Sequence, residues 1–123
     1  MLGSNDIVGF IPTKDSKLSR AFYENVLDLT FESDDQFAMV FRANRTMIRI
    51  AKTEDFKPFP FTILGWEVND IEKIAGGLKE RGVKFERYEG MGQTDLGIWS
   101  APGGTKVAWF KDPDGNLLSI SQH

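Results

Sequence analysis

The 123-residue chain contains no cysteine and a single histidine, His123, which is its last residue. The missing cysteine excludes a disulfide framework, a thiolate nucleophile and a cysteine-ligated zinc site. A Ser-His-Asp hydrolase or a histidine-rich metal centre would have to depend on that terminal imidazole. The chain also lacks any apolar run near the roughly 18 residues of a membrane span. We therefore expect a soluble, cytoplasmic protein that does not enter a membrane.

Positive charge is in slight deficit, with 15 Lys and Arg residues against 18 Asp and Glu residues. This balance argues against a nucleic-acid partner, because nucleic-acid-binding proteins usually carry a basic face. Hydrophobic residues make up 41% and charged residues 27%, which is a globular composition. The length predicts one domain over residues 1–123.

The first part of the chain, about residues 6–52, predicts a strand, a helix and three further strands. Asp15 is a good N-cap residue for the helix. Apolar residues at helical spacing predict its buried face, which comprises Leu18, Ala21, Phe22 and Val26. The strands are predicted over residues 7–13, 29–32, 37–42 and 46–52.

The second part, about residues 62–122, follows residues 53–61, a proline-containing segment that we interpret as a linker. Asp70 is the expected helix N-cap and Gly82 the expected C-cap glycine. The predicted buried face comprises Ile71, Ile74, Ala75 and Leu78. Strands are predicted over residues 62–68, 83–88, 98–100, 106–111 and 117–121. The glycine-spaced segment 89–97 is expected to be a mobile loop, either a lid or an ordinary hairpin connection.

The two parts also align with each other in sequence. An offset of 55 residues places Asp15 on Asp70, and the terminal hairpins match as residues 45–50 on 115–120. Each β-α-β-β-β unit alone leaves one sheet face uncovered, so the sheets must combine. We therefore predict an α+β fold in which two β-α-β-β-β repeats join curved mixed sheets around a cavity, with the helices outside.

Four segments together resemble the vicinal oxygen chelate superfamily, which includes glyoxalases, extradiol dioxygenases, fosfomycin-modifying enzymes and bleomycin-resistance proteins. They are LSRAFYENVLDL at residues 18–29, VNDI at 68–71, LKERGV at 78–83 and FKDPDGN at 110–116. The resemblance covers about residues 7–122. Asp28 departs from it, because the family usually has glycine there.

The resemblance implies a divalent ion in the cavity that chelates two neighbouring substrate oxygens. The family's ligand positions fall on Val8, Arg49, Ile63 and Ser119. Two of these side chains are aliphatic, one is cationic and one is a hydroxyl, whereas such an ion needs imidazole or carboxylate ligands. We therefore expect no metal and no other cofactor.

Strand alternation around these positions predicts the residues that line the cavity. The predicted ligand-binding set is Arg49, Glu67, Trp109, Ser119, Met47, Phe10 and Trp99. Arg49 could bind a carboxylate, carbonyl or phosphate, or else it pairs with Glu67 or extends into solvent. The two tryptophans could stack on an aromatic ligand or simply fill a core or an interface.

Three functions are compatible with this pattern. The favoured one is a metal-free, bleomycin-resistance-like binding protein that sequesters a small hydrophobic or aromatic compound, and the resemblance favours a homodimer. The alternative is a glyoxalase-like lyase or isomerase, in which Arg49 polarises a carbonyl and Glu67 moves a proton if burial favours its protonated form. The third is an interaction module whose cavity is filled by its own side chains.

Overall fold

The computed structural model describes residues 1–123, which form two compact units, Met1–Lys57 and Pro58–His123. We refer to them as the N-terminal and the C-terminal unit, and their boundary lies within residues 53–61. No helix in the structure combines the length and the apolar character needed to cross a membrane.

The N-terminal unit begins with a 3₁₀ turn at Leu2–Ser4 and continues with four strands and a helix. They are β1 (Val8–Thr13), α1 (Ser16–Ala21), β2 (Thr30–Asp34), β3 (Ala38–Ala43) and β4 (Thr46–Lys52). The strands form one mixed sheet in the order β1-β4-β3-β2, in which β1 is parallel to β4 and the other neighbours are antiparallel. One face of the sheet forms a core with almost no exposed surface around Ile11, Phe41, Ile48 and Ile50.

Helix α1 begins as predicted, but the predicted buried face is wrong. The Asp15 carboxylate accepts a hydrogen bond from the backbone N–H of Leu18 at 3.1 Å. Leu18 itself is 57% exposed, whereas Ser19 and Tyr23 are fully buried. The helix widens into a π-type turn at Phe22–Val26, and the Tyr23 ring packs near the Phe41 ring, with centroids 6.1 Å apart. Packing against strand β3 therefore selects the buried face, and apolar spacing alone does not reveal it.

The chain leaves this turn through Asp28, which adopts a left-handed conformation with φ of 61°. Glycine reaches this region without steric cost, whereas aspartate reaches it less readily. The family usually has glycine at this position, and the left-handed backbone conformation explains that preference. In this chain, Asp28 adopts the same conformation.

The C-terminal unit also consists of four strands and a helix. They are β5 (Leu64–Glu67), α2 (Ile71–Glu80), β6 (Trp99–Ser100), β7 (Lys106–Lys111) and β8 (Leu117–Gln122). Its sheet has the order β5-β8-β7-β6, which is the strand order of the N-terminal sheet, and β5 is parallel to β8 as β1 is to β4. This correspondence confirms the predicted α+β fold with two repeats.

Helix α2 agrees closely with its prediction. The Asp70 carboxylate accepts from the backbone N–H of Lys73 at 3.2 Å, and Gly82 has the left-handed φ of 94° expected after a helix end. Ile71 and Ala75 are fully buried, although Ile74 remains partly exposed. Because these capping and spacing signals lie in the helix or next to it, they can be read directly from the sequence.

The strand predicted over residues 83–88 is wrong. Only Phe85 bridges the sheet, opposite Phe110, and the Glu86 backbone N–H donates to the Trp109 carbonyl at 2.8 Å. The remainder of this β7 edge pairs with Trp99–Ser100 in strand β6. Two separate segments thus divide one edge of β7, and neither has room for a long strand.

The loop between those segments, predicted to be mobile, is held together by Gln93. Its side-chain amide donates to the carbonyl oxygens of Glu86 at 2.9 Å and of Gly97 at 2.8 Å. Its side-chain oxygen accepts from the Tyr88 backbone N–H at 2.7 Å. Because these bonds join both ends of the loop, they give it a defined shape.

Candidate functional site

Strands β5, β8 and β7 bring two predicted positions, Ser119 and Trp109, into one row across the C-terminal sheet. Gly65 is paired with Ser119, and Ser119 is paired with Trp109. Directly paired residues point to the same side of a sheet, so Ser119 and Trp109 share one face. A Cβ atom at Gly65 would lie 2.7 Å from the Ser119 hydroxyl oxygen, so the glycine makes room for that hydroxyl. We call this face the aromatic face.

A second row places Trp99 and Glu67 on the same aromatic face. Trp99 is paired with Val107, and Glu67 with Ser121, which is also the partner of Val107. The Trp99 and Trp109 rings lie 6.0 Å apart between centroids with a 33° tilt. Glu67 lies at the exposed edge strand. The predicted C-terminal positions therefore share a face, with two half-buried indole rings in contact and a carboxylate at the rim.

Tyr88 extends this aromatic cluster, and the sequence analysis did not assign it to the site. Its ring meets the Trp109 ring edge to face, with centroids 5.5 Å apart and planes at 84°. The alternation of side chains along extended backbone could have indicated this position. If Phe85 points into the core beside Phe110, then Glu86 and Tyr88 point to the opposite side. The aromatic cluster of Tyr88, Trp109 and Trp99 offers edges and faces suited to a planar apolar ligand.

The three predicted N-terminal positions also lie on one face of their own sheet. Phe10 is paired with Arg49, which is paired with Val40, and Val8 is paired with Met47. Phe10 is 65% exposed and Met47 and Arg49 are partly exposed. Because Arg42 is paired with Met47, it shares this face, which therefore carries two guanidinium groups among accessible aliphatic and aromatic side chains.

The acidic neighbour of Arg49 within its own unit is Asp35. Backbone N–H groups of Ala38 and Phe37 donate to the Asp35 carboxylate at 2.9 and 2.7 Å, and these bonds are the main cause that lowers its pKa. The positive charges of Arg49 and Lys52 lower this pKa further. Arg49 thus lies in the field of a carboxylate that remains ionised to lower pH than usual.

The N-terminal unit also holds a polar cavity of about 310 Å³, which none of the predicted site residues lines. Its walls include Thr13, Gln36 and Lys52. The Lys52 ammonium donates to the Asp34 carboxylate and to the Asp35 carbonyl, each at 2.6 Å. The Lys52 ammonium is therefore already engaged by two oxygen atoms of its own unit.

The residues at the family's metal positions do not fit a divalent ion. Val8 and Ile63 have no donor atom, Arg49 carries a positive charge, and Ser119 offers one neutral hydroxyl. No group of three or more His, Asp or Glu side chains in the structure could hold an ion elsewhere. These four side chains therefore supply no ligand set for a divalent ion.

The comparisons with known proteins agree with this architecture. A bleomycin resistance determinant encoded on the transposon Tn5 superimposes with a TM-score of 0.76 at 19% identity, covering 98% of each chain. A superfamily member from Sphaerobacter thermophilus DSM 20745 gives 0.76 at 21% identity, again with 98% of each chain covered.

A third structure, the antibiotic binding protein TnmS3 from Streptomyces sp. CB03234, gives a TM-score of 0.71 at 21% identity, covering 97% of this chain and 95% of that one. No curated protein matches the chain in sequence. The family model described as Glyoxalase/Bleomycin resistance protein/Dioxygenase superfamily matches residues 5–120. The chain therefore belongs to the glyoxalase/bleomycin resistance protein/dioxygenase superfamily.

Proposed function

We propose that this chain is a cytoplasmic small-molecule-binding protein that sequesters a hydrophobic or aromatic compound without a bound metal. The observation that carries the proposal is the aromatic cluster of Tyr88, Trp109 and Trp99, whose rings contact one another on one sheet face. Such a cluster supplies a large apolar contact area with few rotatable bonds, which suits recognition of a planar ligand. The names of two structural neighbours, a bleomycin resistance determinant and an antibiotic binding protein, are in line with this class of function.

The chemistry of the site favours binding over catalysis. A glyoxalase-like lyase or isomerase would need a positioned acid or base, and the carboxylate predicted for that role, Glu67, lies exposed on an edge strand. The four metal positions supply no ligand set that could replace it. The half-buried tryptophans, by contrast, can bind a ligand by contact alone, without a change in their protonation state.

The exposed face of the N-terminal sheet supports a homodimer as the working form. Ile7, Val8 and Phe10 are large apolar residues on or beside the edge strand β1, and all three are exposed. Accessible apolar residues at an edge strand are typical of a surface that pairs with another chain.

Light scattering after size exclusion should give twice the monomer mass, and Phe10→Lys should shift the protein toward monomer.

Replacing Trp109 tests the binding proposal directly. Isothermal titration with 2-naphthol, a neutral planar aromatic, should show saturable binding, and Trp109→Leu should weaken it by about ten-fold because a stacked indole contributes roughly 1–2 kcal/mol. Trp66→Phe is the matched control, since Trp66 is paired with the buried Ile120 and thus points to the opposite face.

Absence of saturable binding, or equal weakening by both variants, would contradict the aromatic face as the binding surface. Metal analysis of the purified protein supplies a separate readout. A stoichiometric divalent ion would contradict the metal-free part of the proposal.

A further inference from the structure

The C-terminal unit contains a cavity of about 430 Å³ beside the aromatic face. It lies between the segment Pro58–Pro60 and the end of the β7–β8 hairpin that carries Lys111 and Leu117. Glu86 and Tyr88 form another wall. The volume falls within the range of cavities that hold small organic ligands.

The proline-containing segment passes close to the β7–β8 turn at Pro58. The Pro58 ring lies 3.2 Å from the position that a Cβ atom on Gly115 would occupy, so a side chain there would press against the ring. Gly115 also has a left-handed φ of 88°, which glycine adopts without strain. This wall of the cavity is therefore specified by the fold and does not depend on a ligand.

Apolar rings dominate the inner surface of the cavity. Phe59 is 61% exposed and stacks on Phe61 with centroids 4.9 Å apart and planes only 10° from parallel. Pro60 and the Tyr88 ring complete the ring-lined walls. An exposed stacked phenylalanine pair leaves apolar surface in water, so a ligand ring that covers Phe59 gains the free energy of burying it.

The cavity also presents two opposite charges next to each other. The Lys111 ammonium lies 3.5 Å from the Glu86 carboxylate, and both side chains retain accessible surface. Exposed ion pairs of this kind contribute little stability, so a ligand competes with them easily. The Glu86 backbone is fixed by its hydrogen bonds to Trp109 and Gln93, which keeps the carboxylate at the cavity wall.

From these observations we propose that the cavity binds a free α-amino acid with an aromatic side chain. The ligand's ammonium group pairs with Glu86, its carboxylate pairs with Lys111, and its ring lies against Phe59. A purely cationic ligand would leave Lys111 without a partner, and a purely anionic ligand would do the same to Glu86. A zwitterion satisfies both charges at once. The cavity shares only Tyr88 with the aromatic cluster, so this inference does not depend on the proposed function.

Calorimetric titration with four related probes tests the ligand class. L-phenylalanine should bind roughly five-fold or more tightly than either 3-phenylpropionate or phenethylamine, because each analogue lacks one of the two charges. L-alanine, which has the zwitterion without the ring, should bind more weakly than L-phenylalanine. Equal affinity for all four probes, or no binding of L-phenylalanine, would overturn the proposal.

Two charge variants test the residue assignment. Glu86→Gln should remove the preference for L-phenylalanine over 3-phenylpropionate, and Lys111→Met should remove the preference over phenethylamine. The matched control is Lys106→Met, which breaks another exposed pair in this unit, between Lys106 and Glu72 at 3.9 Å. This control should leave all affinities unchanged, and an equal effect of the control would contradict the assignment.

The same titrations separate this inference from the proposed function. Binding of 2-naphthol that depends on Trp109, without binding of L-phenylalanine, would refute only the amino-acid site. Binding of L-phenylalanine that depends on Glu86 and Lys111, without binding of 2-naphthol, would refute only the proposed aromatic-face function.

Discussion

Asp112→Ala should lower the free energy of unfolding by about 3 kcal/mol, because it removes a buried carboxylate that organises the β7–β8 turn. Asp112 is only 5% exposed. One of its carboxylate oxygens accepts from the backbone N–H groups of Asp114 at 2.9 Å and of Asn116 at 3.0 Å. The other oxygen accepts from the Asn116 side-chain amide at 2.9 Å.

The cost is large because the partners are buried as well. Asn116 is 2% exposed, so the alanine variant loses the carboxylate that its amide donates to in the native turn. A buried donor without an acceptor costs its full desolvation penalty, on the order of 1–3 kcal/mol. The lost bonds act together in one turn, so their separate contributions do not simply add.

Urea denaturation of three proteins measures the effect: wild type, Asp112→Ala and Asp112→Asn. The asparagine variant keeps the shape and one acceptor oxygen, so it should lose clearly less stability than the alanine variant. Pro113→Ala, at an exposed position in the same turn, is the surface control and should cost under about 1 kcal/mol. If Asp112→Ala costs no more than this control, the carboxylate does not hold the turn together.

This turn illustrates which parts of the fold could be predicted from the sequence. The sequence DPDGN at residues 112–116 is typical of a turn. Like the caps at Asp15 and Asp70 and the glycine at Gly82, it depends on residues within a few positions of one another, so local sequence predicts all of these features. The period-2 alternation likewise placed Trp109 and Ser119 on one face, and the continuous β7–β8 register has them paired.

The errors concern contacts between distant segments. The strand predicted over residues 83–88 has an adequate composition, but Phe85 and Trp99 occupy different parts of one β7 edge. Alternation from Phe85 indicates the side on which Tyr88 lies, but the placement of its ring on Trp109 also depends on Gln93, which bonds to the Tyr88 backbone across the loop. Secondary-structure propensity and hydrophobic periodicity describe one segment at a time. They therefore do not show when two segments compete for the same strand edge.

The charge environment of Arg49 also depends on contacts between segments that are distant in the sequence. From the sequence alone, Arg49 could bind a ligand, pair with Glu67 or extend into solvent. Within the N-terminal unit, the pairing of β3 with β4 places Arg49 in the field of Asp35, which lies between β2 and β3. That proximity follows from which strands pair, and a single sequence does not show this choice of partner.

Gly97→Ala is expected to lower the free energy of unfolding by roughly 3 kcal/mol, and it should also weaken binding at the aromatic face. Gly97 is buried and has a left-handed φ of 80°, and a Cβ atom there would lie 2.7 Å from the Cβ of Phe85. The left-handed conformation alone costs alanine on the order of 1–2 kcal/mol. The clash adds to this because the opposing atom is attached directly to the backbone and cannot rotate away.

Gly92→Ala is the matched control in the same loop. Gly92 also has a left-handed φ, of 64°, but no atom lies within 4 Å of the position that a Cβ atom on it would occupy. It should therefore show only the conformational cost, on the order of 1–2 kcal/mol. The difference between the two variants in thermal or urea unfolding isolates the clash with Phe85, and equal costs would contradict this explanation.

The effect on binding follows from the position of Gly97 in the loop. Its carbonyl accepts from Gln93, whose side-chain oxygen also holds the Tyr88 backbone, and Trp99 follows two residues later. A shift of Gly97 away from Phe85 therefore moves both flanking members of the aromatic cluster. Under conditions where both variants remain folded, Gly97→Ala should bind 2-naphthol more weakly than Gly92→Ala. Equal affinities would show that the loop supports the fold without positioning the aromatic cluster.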